Sequence, residues 1–236
     1  MINSFHETQQ QSNNGSPSVD ENGVWICLNP QSVEKAKDIT KSRPALFLDR
    51  DGVINVDVNY LSKVEDVVLH EGAASMIAQA NKAGLPVIVI TNQSGVGRGY
   101  FDWDRLNDVQ NEIARQLNEE GAHWDGVFAC PYHRDGQPPY KHDDHPYRKP
   151  NPGMLKKAAE IFTIDLSKSW VIGDKADDLK AGINAGLCGG IHVSTRYLEA
   201  KKEREKAEIL NSSDFTVLTA DTVQQACQRL PLLIDV

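Results

Sequence analysis

Two aspartates separated by a single residue, Asp49 and Asp51, form the pair of side chains in this sequence whose spacing best suits chemistry. They follow an apolar run at residues 45–48, and side chains two positions apart on an extended chain point in the same direction. Two neighbouring carboxylates repel each other unless a cation neutralises them or one of them holds a proton. A divalent metal ion does the first and general acid catalysis uses the second, although a solvated acidic turn has the same composition. Gly52 then lets the chain turn sharply.

Three more polar segments follow in the chain and suit the binding of an anion. Thr91 opens the segment 91–95, TNQSG, whose hydroxyls and successive backbone N–H groups can cradle a phosphate or cap a turn. Arg148 offers bidentate phosphate recognition and Lys149 is a compact charge that can screen an aspartate, although a basic pair in a loop is also commonly solvated. Asp174 begins a further acidic segment, which equally fits the N-terminus of a helix.

Alternating strands and helices must position these segments. The apolar runs predict strands at residues 45–48, 86–90, 124–129, 169–172, 190–193 and 215–218. Helical periodicity and helix-ending residues predict helices at residues 71–84, 102–120, 152–162, 175–185, 197–210 and 222–230. This alternation predicts an α/β fold, a Rossmann-like doubly wound parallel sheet with right-handed crossovers. Ligands in such sheets bind beyond the carboxyl ends of the strands, which here carry Asp49, Thr91, Cys130 and Asp174.

Length, composition and charge exclude several classes of protein. The 236 residues are 40% hydrophobic, and no run approaches the roughly 18 apolar residues that span a bilayer. A net charge of −8 argues against nucleic acid as a partner, because binding the phosphate backbone requires a basic field. The four cysteines are widely spaced and indicate reduced thiols. Residues 1–20 lack the basic and apolar regions of a secretory signal, so we expect a cytoplasmic protein.

The N-terminus differs in composition from the rest of the chain. Residues 1–22 are rich in Gln, Asn, Ser and Gly without periodicity, which predicts a disordered tail. Residues 23–42 form an N-terminal extension, in which the apolar run 24–28 predicts an edge strand. The domain that carries the chemistry is predicted to span residues 43–236.

Taken together and in this order, the polar segments resemble those of the haloacid dehalogenase superfamily over residues 43–193. The strings DRDGVIN at 49–55, TNQSG at 91–95 and RKPNPGM at 148–154 are similar to those of the D-glycero-D-manno-heptose 1,7-bisphosphate phosphatases. Histidinol-phosphate phosphatases are near relatives of that family. The resemblance implies a phosphatase domain, and because no large insertion follows Gly52 or the third strand, it implies one without a large cap domain.

The resemblance also assigns catalytic roles to matching positions. It implies that Asp49 is a covalent nucleophile that forms an aspartyl-phosphate. It implies that Asp51 protonates the leaving oxygen and then deprotonates the attacking water. Asp49, the backbone carbonyl of Asp51, and Asp174 are the implied ligands of Mg²⁺. Thr91 and Lys149 are implied to hold the transferring phosphoryl group.

The substrate implied by the resemblance is a small sugar phosphate, the heptose bisphosphate of the route to lipopolysaccharide heptose. The implied substrate contacts are Asn55, Asp57, Asn59, Tyr60, Asn92, Gln93, Ser94, Arg148 and Lys175, with Arg98 as a further candidate. Histidinol phosphate or another small phosphomonoester is the alternative substrate. A catalytically silent partner-binding module is the non-enzyme alternative, which the costly acidic cluster argues against. We expect a monomer or a weak homodimer with neither nucleic acid nor membrane as a partner.

The loop from 131 to 150 departs from the family pattern. Relatives often bind structural zinc there through Cys-x-His and Cys-x-Cys, whereas the matching residues here are Cys130, Tyr132, His145 and Tyr147. Neighbouring histidines leave open a zinc site made of Cys130, His133, His142 and His145, a ligand set that zinc accepts. The alternative is a metal-free loop held by the packing of its tyrosines and prolines.

Overall fold

A single sheet of eight strands organises the protein, which the computed structural model describes over residues 15–195 and 200–234. The strands are β1 (Ser18–Val19), β2 (Trp25–Leu28), β3 (Leu46–Leu48), β4 (Val87–Asn92), β5 (Gly126–Cys130), β6 (Trp170–Gly173), β7 (Gly189–Val193) and β8 (Thr216–Ala220). Their order across the sheet is β1-β2-β5-β4-β3-β6-β7-β8. The six strands from β5 to β8 are mutually parallel, and β2 joins β5 in antiparallel fashion. The predicted doubly wound α/β fold is confirmed.

The helices connect the strands and cover both faces of the sheet. They are α1 (Pro30–Lys37), α2 (Ala73–Lys82), α3 (Ser94–Gly97), α4 (Trp103–Glu119), α5 (Gly153–Phe162), α6 (Ala176–Ala185), α7 (Ala200–Glu208), α8 (Val223–Arg229) and α9 (Pro231–Ile234). Within the described ranges, none of these helices combines the length and the apolar character needed to cross a membrane. The first residues of the helix predicted at 197–210 lie outside the described residues.

The alternation of side chains along the strands divides the core into two layers. In β3, Leu46 and Leu48 belong to the hydrophobic cluster on one face of the sheet and Phe47 to the cluster on the other. All three side chains are completely buried. Burial on both faces explains why the strand is a continuous apolar run rather than an alternating one.

The order of the strands places a crevice at the carboxyl end of β3. The chain passes from β3 to β4 and β5 on one side, and then returns to β6 on the other side of β3. Loops that leave β3, β4 and β6 therefore diverge and open a cleft at this edge, as at the switch points of other doubly wound sheets. Over the described residues the connections after β3 and β5 contain no cap domain, and the irregular loop 131–152 after β5 borders the cleft.

The N-terminal segment differs from the prediction in two respects. Residues 15–22, which fall in the predicted disordered tail, are ordered, and Ser18–Val19 pairs with Trp25 and Ile26. The predicted edge strand forms as β2, but β1 covers its outer side, so it is the second strand of the sheet rather than the edge. A two-residue strand has too few positions to show a period of two, which is why the sequence did not reveal β1. Residues 1–14 of the predicted tail lie outside the described residues.

Helix α1 is a further element that periodicity did not predict. Its buried residues are only Ser32 and Ala36, so the helix has no apolar stripe. Local signals define its start instead, because the side chain of Asn29 accepts hydrogen bonds from the backbone N–H groups of Gln31 and Ser32, and Pro30 occupies the first turn.

Candidate active site

A polar cleft of about 300 Å³ opens at the carboxyl ends of β3 and β4. The predicted site residues that line it are Asp49, Asp51, Asp57, Asn59, Tyr60, Thr91, Asn92, Gln93, Ser94, Arg148, Lys149 and Lys175. Gly95, Asp177 and Asp178 line it as well. Residues that are as much as 129 positions apart in the sequence, Asp49 and Asp178, therefore line one cavity at the carboxyl ends of the strands.

Lys149 lies at the base of the cleft between two carboxylates. Its Nζ atom is 2.8 Å from Oδ1 of Asp49 and 2.6 Å from Oδ1 of Asp178, and it also donates to the backbone oxygen of Ile90 at 2.7 Å. Burial lowers the pKa of Lys149, but the charges of Asp178 and Asp49 outweigh burial and raise it above its ordinary value. Lys149 is therefore a permanent cation whose three donors are all directed by the protein.

The side chain of Asn92 holds Lys149 in this position through the backbone. Nδ2 of Asn92 donates to the carbonyl oxygen of Lys149, and the backbone N–H of Lys149 donates to Oδ1 of Asn92, both at 3.1 Å. This reciprocal pair joins the end of β4 to the end of the loop 131–152. Asn92 thus positions the lysine in addition to lining the cleft.

Three buried carboxylates, those of Asp49, Asp174 and Asp178, form an acidic cluster beside Lys149. One oxygen from each lies within 4.8 Å of the others. Burial and the charges of Asp49 and Asp178 raise the pKa of Asp174 well above its ordinary value, and burial together with Asp49 raises that of Asp178 to about 6 against the opposing charge of Lys149. Lys175 also interacts with these carboxylates, because burial lowers its pKa but their charges outweigh burial and raise it. Two lysines do not balance three carboxylates, and an all-oxygen set of this kind suits Mg²⁺.

Asp51 is held by a cradle of donors that point at both of its oxygens. Nη2 of the fully buried Arg50 lies 2.8 Å from Oδ1 and from Oδ2, and Nε lies 3.1 Å from Oδ1. Asn55 donates to Oδ1 at 3.0 Å and Gln93 to Oδ2 at 2.8 Å. Burial raises the pKa of Asp51, but the charge of Arg50 and these hydrogen bonds outweigh burial and lower it below its ordinary value.

Gln93 connects this cradle to the predicted phosphate-binding segment. Its Nε2 atom donates to Oγ1 of Thr91 at 2.8 Å as well as to Asp51. Thr91 is buried at the end of β4, and the short helix α3 begins at Ser94. Thr91, Ser94 and Gly95 line the cleft together with Lys149, and a hydroxyl and a turn at a strand end suit an anion.

Two predicted substrate contacts, Asn55 and Arg98, do not line the cleft. Asn55 is completely buried and its amide is directed at Asp51. The guanidinium of Arg98 bonds instead to the Tyr60 hydroxyl at 2.9 Å, and to His133 at 3.0 Å and Asp135 at 3.2 Å. Arg98 thus links the segment 57–60 to the loop 131–152 across the mouth of the cleft.

The predicted zinc ligands, Cys130, His133, His142 and His145, are not brought together. Within residues 15–195 and 200–234, the acidic cluster is the one set of three such groups close enough to share a metal ion. Burial raises the pKa of the Cys130 thiol to about 12, which opposes the thiolate that zinc requires. His133 contacts Arg98, and the ring of His145 stacks on that of Tyr132 with centroids 3.6 Å apart. The structure therefore does not assemble the four candidate zinc ligands into a site.

Aromatic packing holds the loop. Tyr132 contacts Tyr140 edge-on at 5.6 Å in addition to its stack on His145, and Trp103 of α4 donates to the Tyr140 hydroxyl at 3.0 Å. The ring of Tyr147 lies 6.0 Å from that of His145. Edge-to-face and stacked geometries at these distances are favourable, so the packing of the tyrosines that the alternative predicted is present.

Three residues that complete the site were not predicted from the sequence. Asp178 belongs to the acidic segment that begins at Asp174 but had no predicted role of its own, and the buried start of α6 directs it towards Lys149. Arg50 lies between the two aspartates and carried no signal of its own. Gln110 accepts from Nη1 of Arg50 at 3.0 Å from the middle of α4, which no spacing in the sequence could reveal.

Comparisons with known proteins agree with this geometry. The model of the HAD-hydrolase-like family matches residues 146–212. A D-glycero-beta-D-manno-heptose-1,7-bisphosphate 7-phosphatase of Mesorhizobium japonicum is 50% identical over 177 residues, which are 75% of this chain and 79% of that protein. Among solved structures, a putative HAD-like phosphatase from Mesorhizobium loti has a TM-score of 0.79 at 38% identity, covering 92% of this chain and 96% of the other.

A second solved structure contains ligands. It is the D,D-heptose 1,7-bisphosphate phosphatase of B. bronchiseptica in complex with magnesium and phosphate, with a TM-score of 0.66 at 29% identity, covering 79% of this chain and 97% of that one. Similarity of this extent in sequence and in fold, together with the cleft, establishes the relationship. The chain therefore belongs to the haloacid dehalogenase-like family that includes the heptose bisphosphate 7-phosphatases, and it is a phosphoric monoester hydrolase.

Proposed function

We propose that this phosphatase removes the 7-phosphate of D-glycero-D-manno-heptose 1,7-bisphosphate in a Mg²⁺-dependent reaction that passes through an aspartyl-phosphate. The observation that carries the proposal is the pairing of two aspartates in different environments at one strand end. Asp49 lies against Lys149 in the acidic cluster, whereas Asp51 lies in a separate cradle of donors. Two carboxylates with different surroundings can take different roles in one reaction.

Asp49 is the proposed nucleophile. One of its oxygens attacks the phosphorus, the bond from phosphorus to the sugar oxygen breaks, and the phosphoryl group becomes bonded to Asp49. Oδ1 of Asp49 also accepts from the backbone N–H of Arg50 at 2.7 Å, which fixes the direction of the carboxylate. Lys149 reduces the repulsion between this anion and the incoming phosphate.

Asp51 is the proposed acid and base. In the first step it gives a proton to the sugar oxygen that leaves, and in the second it takes a proton from the water that attacks the aspartyl-phosphate. The bond between phosphorus and Asp49 then breaks, which releases inorganic phosphate and restores the carboxylate. The cradle around Asp51 stabilises its ionised form, the form that the second step needs.

The acidic cluster provides the place for the metal ion. Asp49, Asp174 and Asp178 fit Mg²⁺ because all three offer carboxylate oxygens within a small buried volume. When bound, Mg²⁺ neutralises the negative charge of the phosphoryl group and of the carboxylates. Asp178 is an addition to the ligands that the sequence predicted.

The second phosphate of the substrate is proposed to bind Arg148. Arg148 lines the main cleft and also an adjoining cavity of about 190 Å³ that contains His133 and Arg134. A substrate with two phosphates can then place one at Asp49 and the other at the guanidinium of Arg148. The name of the Mesorhizobium japonicum relative supports a heptose bisphosphate as that substrate.

Steady-state kinetics with and without Mg²⁺ test the proposal. Wild-type protein and the variants Asp49→Asn and Asp104→Asn are assayed on both anomers of the heptose bisphosphate and on histidinol phosphate. Asp104 is exposed on α4 and serves as a matched control. We expect wild type and Asp104→Asn to prefer the heptose bisphosphate, and Asp49→Asn to be inactive.

Mass spectrometry of acid-quenched reactions tests the intermediate separately. A phosphoryl group is expected on the peptide that contains Asp49, and none in Asp49→Asn. Turnover by Asp49→Asn contradicts the nucleophile, and a clear preference for histidinol phosphate contradicts the proposed substrate. Activity unchanged by removal of Mg²⁺ contradicts the role of the metal.

A further inference from the structure

The turn between β1 and β2, residues 20–24, lies against the loop that carries Arg148. Asp20 closes this turn by accepting from the backbone N–H groups of Asn22 and Val24, each at 3.0 Å. Strand β2 pairs with β5, and Trp25 is opposite Ala129, immediately before the loop begins. The hairpin therefore reaches the first and last parts of the loop from outside the cleft.

Two contacts connect the turn to the tyrosines of the loop. Nδ2 of Asn22 donates to the Tyr147 hydroxyl at 3.3 Å, across 125 positions of sequence. Gly23 has φ of +71°, and a Cβ atom there would lie only 2.3 Å from the hydroxyl oxygen of Tyr132. Glycine is thus required both by the conformation of the turn and by the closeness of the ring.

The tyrosines in turn hold Arg148. Nη1 of Arg148 donates to the backbone oxygen of Tyr132 at 2.8 Å, and Tyr147 immediately precedes Arg148 in the chain. The Tyr132 ring is fixed on its other side by its stack on His145. Arg148, which lines the cleft, is therefore joined to one tyrosine by a hydrogen bond and to the other by the chain.

We propose that the β1–β2 hairpin is a brace that positions Arg148, so that the N-terminal extension contributes to recognition of the second anionic group of the substrate although it does not line the cleft. This inference rests on the proposed function for the identity of that anionic group. Asn22, Gly23, Tyr132 and Tyr147 are positioning residues in this proposal. The brace predicts an effect on the binding of substrates with two phosphates and none on the chemistry of the transferred group.

Kinetics of a matched pair of glycine variants test the brace. Gly23→Ala forces a Cβ atom against Tyr132, whereas Gly121→Ala has nearly the same backbone strain, with φ of +74° and no neighbour within 4 Å. For Gly23→Ala we expect KM for the heptose bisphosphate to rise about three- to tenfold, the range for loss of a single positioning contact. We expect kcat, and kcat/KM for p-nitrophenyl phosphate, which has no second phosphate, to match those of Gly121→Ala.

Rescue and a second pair of variants separate the brace from a general structural effect. Adding Tyr132→Phe to Gly23→Ala removes the oxygen from the collision and is expected to restore most of the lost affinity. Asn22→Ala and Tyr147→Phe each remove one partner of the same hydrogen bond, so their effects on KM are expected to be non-additive. Asn118→Ala, an exposed change on α4, is the control.

Amide hydrogen exchange supplies a readout that does not depend on the substrate. Faster exchange over residues 131–148 is expected in Gly23→Ala and Asn22→Ala, and unchanged exchange in Gly121→Ala. The proposal of a brace is overturned if amide exchange and KM are both unchanged in Gly23→Ala and Asn22→Ala. It is also overturned if kcat/KM falls equally for the heptose bisphosphate and for p-nitrophenyl phosphate. If wild type does not hydrolyse the heptose bisphosphate, the proposed function fails and the exchange result alone decides on the brace.

Discussion

Nη2 of Arg50 lies 2.8 Å from both carboxylate oxygens of Asp51, so the side chain between the two aspartates of the site is itself the main partner of one of them. Arg50 is completely buried, so water does not compete for its hydrogen bonds, and Gln110 orients the guanidinium by accepting from Nη1. Because the charge of Arg50 lowers the pKa of Asp51, the carboxylate is ionised in the free enzyme. The leaving-group proton must therefore be acquired after substrate binds, when the phosphate brings negative charge towards Asp51.

The first prediction concerns the effect of Arg50→Lys on catalysis. Arg50→Lys keeps the charge but loses the bidentate geometry, and we expect kcat to fall about ten- to a hundredfold, part of the usual contribution of a general acid and base. The pKa of Asp51 is lowered in the native site, so losing donors raises it. The decline of kcat on the acid side, where Asp51 can no longer act as a base, then moves to higher pH.

A pH profile of kcat for wild type, Arg50→Lys and Arg115→Lys checks this prediction. Arg115 pairs with Glu112 and Glu119 on the surface of α4, so its replacement controls for the chemical change alone. If the acid-side decline of kcat occurs at the same pH in Arg50→Lys as in wild type, the ion pair between Arg50 and Asp51 does not set the pKa of Asp51.

Gly52 is the subject of the second prediction. It has φ of +89°, and a Cβ atom there would lie 2.6 Å from Oδ2 of Asp174, whereas Gly186 has φ of +87° with no neighbour within 4 Å. Both Gly→Ala variants are expected to lose about 1 to 2 kcal/mol of stability from the left-handed backbone. Only Gly52→Ala is expected to lose activity and the increase in melting temperature produced by Mg²⁺, because only there does the new methyl group displace the carboxylate of Asp174, a proposed Mg²⁺ ligand.

Melting curves with and without Mg²⁺, together with kcat, distinguish the two variants. Equal Mg²⁺ stabilisation of Gly52→Ala and Gly186→Ala contradicts the placement of the metal beside Asp174. If both variants lose the Mg²⁺ stabilisation and activity, backbone strain is the cause instead.

The extent to which the site was predictable follows from how each residue is positioned. Asp49, Thr91 and Asp174 were found because a strand buried on both faces is visible as an apolar run, and the next polar residue must then lie at the sheet edge. Gln110 was not predicted, because a polar residue in the middle of an amphipathic helix has no distinguishing sequence pattern until its partner is known. For a related reason the four candidate zinc ligands are near one another in the sequence but are not grouped in the structure, since spacing does not determine where side chains point.

The mouth of the cleft provides the third prediction. Arg98 bonds to the Tyr60 hydroxyl at 2.9 Å and to His133 and Asp135 on the opposite loop, so its loss frees Tyr60 without removing a residue that lines the cleft. Arg98→Met is expected to raise KM several-fold, with kcat unchanged. Arg105→Met, an exposed change on α4, is the control.

A double variant separates positioning from direct contact. Tyr60→Phe removes the hydroxyl that Arg98 binds, so Arg98→Met and Tyr60→Phe together are expected to cost no more than either alone. If Arg98 touches the substrate instead, the two losses add, and Arg98→Met lowers affinity for the bisphosphate much more than Tyr60→Phe does. KM for all three variants decides between these cases.

The last prediction concerns metal content. Burial holds the Cys130 thiol protonated by raising its pKa to about 12, and the ring of His145 is committed to its stack on Tyr132. Purified, untagged protein is therefore expected to contain well under one zinc per chain, and a zinc-selective chelator is expected to leave the melting temperature unchanged. Tyr132→Ala, in contrast, removes the ring at the centre of the packing and is expected to lower the melting temperature by several degrees, since loss of a packed aromatic costs about 3 to 5 kcal/mol when fully buried and less here. Stoichiometric zinc, or a fall in melting temperature with the chelator, contradicts the aromatic account of this loop, because a metal-held loop loses its cross-link when the ion is removed and a loop held by rings does not.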